Sequence, residues 1–103
     1  MLPLIESRRG DIAELCRRFH VRRLDVFGSA ARVTDFDPAR SDVDILVTYD
    51  PDSPAPDMTE YFDLTKQLST LIGYPVDLVM SGAIRNPIVK ADIDRGKQIL
   101  YAA

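Results

Sequence analysis

Two aspartates two residues apart, Asp42 and Asp44, precede the apolar run Ile45-Leu46-Val47. Side chains alternate faces along a strand, so both carboxylates share one face, about 6.5 to 7 Å apart, with Val43 and Ile45 on the other. Carboxylates held side by side each resist ionising unless a cation lies between them. A hard cation with oxygen ligands, Mg²⁺ above all, meets that need and normally arrives with a substrate's phosphates. Upstream, an apolar strand pattern ends at Phe27 and runs into Gly28-Ser29. Glycine lets backbone approach a ligand closely, and Ser29 with the following N–H groups could receive an anion.

Gly28-Ser29, twelve intervening residues and then Asp42-Val43-Asp44 between apolar neighbours resemble the signature of the DNA-polymerase-β-like nucleotidyltransferases. Arg32, three after Ser29, and Ser41, just before the first aspartate, look like the minimal nucleotidyltransferases in particular. Val33 is a departure, since many members carry glycine after the arginine. The resemblance implies Asp42 and Asp44 as ligands of two Mg²⁺ ions. It implies Gly28, Ser29, Arg32 and Ser41 as the nucleotide-binding set, and ATP as substrate.

Asp77 is a misfit within Pro75-Val76-Asp77-Leu78-Val79-Met80, which reads as a strand. An unpaired buried charge is costly, so taken alone it reads as a strand aspartate facing solvent. The resemblance makes it the third catalytic and metal-binding carboxylate. Arg32 has two open readings: a phosphate contact, or a partner for a nearby acid such as Asp35.

Helices and strands alternate along the chain around these groups. Ile5, Ile12, Leu15, Cys16 and Phe19 recur at helical spacing from about Leu4 to Phe19, with Gly10 a weak point and Asp11 a possible internal cap. Residues 22 to 27 make a first strand, with Leu24 and Val26 on one face. A helical turn is expected over Ala30 to Arg32, then a loop to Ser41 containing Pro38. Asp42 to Tyr49 makes the second strand, and a proline-rich break follows.

Asp57 and Glu60 set up a capping box for a helix that Gly73 ends. Its stripe of Met58, Tyr61, Phe62, Thr65, Leu68, Leu71 and Ile72 reads as core. Asn86-Pro87 starts a last helix over Ile88 to Arg95, closed by Gly96, and Lys97 to Tyr101 makes a final strand. The expected fold is α/β (α+β): a small mixed sheet of about four strands with helices packed on one side, in one domain spanning 1–103. The mixed sheet and its strand order come from the resemblance.

Several alternatives are excluded. Counted from Asp35, an EF-hand would need glycine at Arg40 and glutamate at Leu46. Ala30 breaks a dinucleotide fingerprint, and no Gly-Lys-Ser/Thr completes a P-loop. A formal charge of −3 gives no reason to expect broad nucleic-acid binding, and the arginines between Arg8 and Arg23 read as a solvated helix face. No apolar run approaches membrane-spanning length. Cys16 is the only cysteine, which rules out an intramolecular disulfide and suggests a reducing cytoplasm. It falls in an apolar stripe and reads as core.

Minimal nucleotidyltransferases lack the domain that holds an acceptor in larger members. The resemblance therefore implies an antitoxin that attaches AMP to a tyrosine of a HEPN-type toxin encoded nearby, in a possible hetero-oligomer. Two rival expectations are an inactive antitoxin that neutralises by contact, and an enzyme acting on a small molecule such as an aminoglycoside.

Overall fold

The computed structural model describes residues 1–103. In chain order it contains α1 (Pro3–Ser7), α2 (Arg9–Arg18), β1 (Val21–Phe27), α3 (Ser29–Arg32), β2 (Val43–Tyr49), α4 (Met58–Ile72), β3 (Val76–Met80), a 3-10 turn (Ser81–Ala83), α5 (Pro87–Gly96) and β4 (Gln98–Ala102). The sheet order is β3-β2-β1-β4. β1 pairs antiparallel with β2 and with β4, while β2 and β3 run parallel, so the sheet is mixed as expected.

Alternation decides which strand residues enter the core. Leu24 and Val26 of β1, Val43, Ile45 and Val47 of β2, Leu78 of β3 and Leu100 of β4 all point to one face. There they meet Ile12, Leu15 and Cys16 of α2 and Leu64, Leu68 and Ile72 of α4. Cys16 is fully buried, and burial pushes its thiol up to about 12, so it is core and not a nucleophile.

The first helix is interrupted where the periodicity predicts continuity. Arg8 leaves helical geometry at φ −103, and α2 restarts at Arg9 through Gly10, leaving Asp11 in its first turn and not at a cap. Arg9 explains the bend, because its guanidinium donates to the carbonyls of Leu100 and Ile99 in β4 at 2.9 and 3.2 Å. Helix α4 has the expected ends: Asp57 accepts from the Glu60 N–H, and Gly73 closes the helix at φ 84.

Its stripe is corrected at the first turn. Met58 and Phe62 are 69% and 58% exposed, whereas Leu68 and Ile72 of the expected stripe are buried and Leu64, outside it, joins them. Here the helix reaches the sheet's edge strand, where the Tyr61 hydroxyl donates to the Leu78 carbonyl and Phe62 packs edge-on against the Tyr61 ring.

While α2 and α4 cover the core face, α5 stands over the opposite one. It contributes no fully buried residue, and its N-terminal end is fixed by the Asn86 side chain, which accepts from Ile88 and Val89, and by Pro87 in the first turn. No helix is long and apolar enough to cross a membrane.

Val33, the departure from the family's glycine, ends α3 at φ 71 and ψ −46. A branched residue there carries strain of roughly 1–3 kcal/mol. Glycine would relieve it, less roughly 0.5–1 kcal/mol of added unfolded-chain entropy. Val33→Gly should therefore stabilise the fold by about 1 kcal/mol, raising the thermal midpoint by roughly 4–8 °C. Circular-dichroism melts of the two proteins check this, and a lower midpoint in the variant would contradict a strained turn.

Candidate active site

The site forms where the C-terminal end of β1 meets the N-terminal end of β2. Phe27 is paired opposite Asp44 across the antiparallel ladder, and Asp44 is paired with Asp77 across the parallel one. Paired residues of neighbouring strands project to the same face, so Asp44 and Asp77 stand side by side on the face away from the core. Asp42 lies just outside β2, whose first N–H, that of Val43, donates to the Pro75 carbonyl at 2.8 Å. The sequence placed Asp42 within the strand, whereas the structure leaves it exposed at the strand's mouth.

Electrostatics records the crowding. Burial raises the Asp44 carboxyl above its usual range, and the charges of Asp77 and Asp42 raise it further, opposed by Arg32. Nearby, burial raises the Tyr61 hydroxyl, as does the charge of Asp77.

Gly28 is required twice over. Its φ of 69 lies in the left-handed region, and a Cβ built on it would collide with Asp44 Oδ2. The chain then enters α3, where the N–H groups of Ala31 and Arg32 bond to the Gly28 carbonyl. Those of Ser29 and Ala30 remain at the head of the turn. The Leu2 N–H holds the turn from behind by donating to the Ala30 carbonyl at 3.1 Å.

The two remaining sequence candidates are committed locally. Arg32 makes a forked pair with Asp35, with Nη2 at 2.8 Å and Nε at 3.1 Å from both oxygens, which is the second of its two readings. Ser41 Oγ accepts from the Asp37 N–H at 2.9 Å, closing the loop before Asp42. A cleft of about 210 Å³ opens among Gly28, Arg32, Asp44, Asp92, Ile93 and Gly96, so α5 roofs this part of the site. Nothing in the local residue pattern marks Asp92, because its proximity depends on where α5 packs.

Asp44 and Asp77 on one face, with Asp42 at the strand's mouth and the nearest arginine already paired, suit a hard cation in donor type and in charge. No three Asp, Glu, His or Cys side chains are close enough to hold a metal ion as they stand. Mutual repulsion of the acids favours that open arrangement.

A raised acid group favours the fold in its protonated form. That contribution is complete below the unfolded value of about 3.9 and is lost as the pH rises through the higher folded value. Ionised Asp44 therefore opposes folding at neutral pH in the absence of a cation. Asp44→Asn should be more stable than the wild type at pH 7, with the difference fading as pH falls toward about 3.9. Urea melts across pH 3–8 measure it, and a pH-independent difference would contradict the crowding.

Residues 11–103 match the family described as Polymerase beta, Nucleotidyltransferase. The chain is 39% identical over 88 residues to protein adenylyltransferase MntA of Thermococcus cleftensis, covering 85% of this chain and 81% of that one. It superposes on a chain of a toxin–antitoxin structure with AMP-PNP with TM-score 0.68 and 21% identity, covering 92% and 73% of the two chains. It also superposes on a chain of the tri-AMPylated Shewanella oneidensis HEPN toxin in complex with MNT antitoxin, with TM-score 0.65, 18% identity and coverage of 96% and 73%. At these identities the two structures establish the shared fold. With the match covering all of the sheet and the site, the chain belongs to the polymerase beta nucleotidyltransferase family.

Proposed function

We propose that this chain is an antitoxin that transfers AMP from ATP to a hydroxyl, a tyrosine's, on a HEPN-type toxin in the cytoplasm. The observation that carries the reading is the in-register pair Asp44 and Asp77 beside Gly28, with Asp42 at the strand's mouth. The similar MntA protein is named a protein adenylyltransferase, and the Shewanella structure pairs an MNT antitoxin with an AMPylated HEPN toxin.

On this reading Asp42, Asp44 and Asp77 would hold two Mg²⁺ ions, which would supply a lowered pKa for the attacking hydroxyl and charge neutralisation on the phosphates. The chain's own residues do the positioning. Ser29 and the N–H groups at the head of α3 orient the terminal phosphates. Gly28 keeps that approach open, since any side chain would fill the space beside Asp44. Asp77, on the edge strand and exposed, faces the acceptor and takes its proton. The acceptor oxygen bonds to the α-phosphorus, the bond from that phosphorus to the bridging oxygen breaks, and pyrophosphate leaves. Arg32 and Ser41 are near enough to assist only by leaving their present partners.

Intact mass spectrometry of the neighbouring toxin tests the proposal, after incubation with this protein, Mg²⁺ and each nucleoside triphosphate in turn. ATP should add the mass of one or more AMP groups, and the paired change Asp42→Ala and Asp44→Ala should abolish the gain. An unchanged mass in a stable complex would replace the proposal with neutralisation by contact alone.

A further inference from the structure

On the same face as Asp44, β1 carries a charge pair that the proposed chemistry does not use. Asp25 is 1% exposed, the one charged residue among the buried set. Both of its carboxylate oxygens accept from Arg23 Nε, at 3.0 and 2.9 Å. That contact uses one of the five N–H donors of the guanidinium. Arg23 Nη1 and Nη2 bond to nothing in the protein, and the side chain is 40% exposed. An unpaired carboxylate at this depth is costly, so Asp25 holds Arg23 firmly with its fork turned outward.

Arg23 and Asp25 line a cleft of about 290 Å³ beneath α5 that is apolar at Leu46, Ile84 and Ile93 and largely polar or charged elsewhere. Ile93 also lines the cleft at Gly28 and Asp44, so the two are neighbouring parts of one trough. Asp25 pairs with Leu46 in the register that pairs Phe27 with Asp44. The Arg23–Asp25 end therefore begins two residues, roughly 7 Å, along the sheet from Asp44.

A nucleoside triphosphate whose α-phosphorus lies at Asp44 needs three directions. Its terminal phosphates go to Gly28-Ser29, and the acceptor comes from the Asp77 edge. The third leads under α5, where Leu46, Ile84 and Ile93 offer contact to the flat face of a base and the Arg23 donors suit acceptor atoms on its edge or on the sugar.

We propose that this cleft holds the nucleoside of the triphosphate, with Arg23 as the contacting residue through its Nη groups and Asp25 as the residue that positions it. The inference rests on the nucleotidyl-transfer reading. It adds where the nucleoside lies and which residues select it.

Calorimetric binding of ATP and of inorganic triphosphate, each with Mg²⁺, separates the possibilities. Arg23→Lys keeps the charge and removes the fork, and should weaken ATP binding roughly tenfold or more while leaving triphosphate binding unchanged. Thr48→Phe fills the cleft from the strand and should do the same, which covers the case where Arg23→Lys does not fold. Asp25→Asn should raise KM for ATP with kcat little altered. Equal loss of ATP and triphosphate would make the cleft a phosphate site and overturn the assignment, as would unchanged ATP binding in both cleft variants. A wild type that binds neither ligand would overturn the nucleotidyl-transfer reading itself.

Discussion

Like-charge repulsion is concentrated at one rung of the sheet, and the surrounding fold has to hold it in place. Asp44 and Asp77 are brought level by parallel pairing of β2 and β3, and Asp42 stands just beyond. Nothing in that trio favours folding at neutral pH without a cation. The opposite face of the same strands supplies what holds them: Val43, Ile45 and Val47 are buried within 1% of completely, against Leu64, Leu68 and Ile72 of α4. Slipping β2 by one residue would put the carboxylates in the core and the valines in water, so the hydrophobic face fixes the register of the acids.

The turn between β1 and β2 shows how tightly the site is fitted. Gly28 and Val33 bracket α3, and both have positive φ. At Gly28 the conformation goes with close approach, because Asp44 occupies the space where a side chain would be. At Val33 no such approach exists and the residue is 40% exposed, so the strain there sets only the direction of the chain leaving α3. That direction is reinforced by the Arg32–Asp35 pair, which is exposed and worth little in stability.

Local chemistry made much of this legible from sequence. The capping of α4 by Asp57, its end at Gly73 and the start of α5 at Asn86-Pro87 each depend on residues a few positions apart. The alternation of Leu24 with Val26 gave the core face of β1. What sequence could not show depends on contacts far along the chain. The break at Arg8 is tied to β4 through Arg9, a separation of some ninety residues. Met58 and Phe62 keep helical spacing yet lie beyond the sheet that would bury them. Asp25 looks like any outward strand residue, and only the packing of α5 and the fold-back of Arg23 make it a buried charge. For Arg32 an acid three residues on and a phosphate fit equally well in sequence, and only the folded turn shows the pair with Asp35.

Sheet order divides the outer face unequally, and the division matches the proposed roles. β3 is an edge strand, so Asp77 is reachable from the side by a second protein. β1 lies inside the sheet between β2 and β4, and α5 covers its outer face, so a ligand joining Asp44 to Arg23 would lie along the trough. A macromolecular acceptor fits the open side, and a small flat one the roofed side. α5, which roofs the trough, has no fully buried residue and is capped at its N-terminus by Asn86. A ligand there would add apolar contact to a helix that has little, which couples occupation of the trough to the stability of the roof above it.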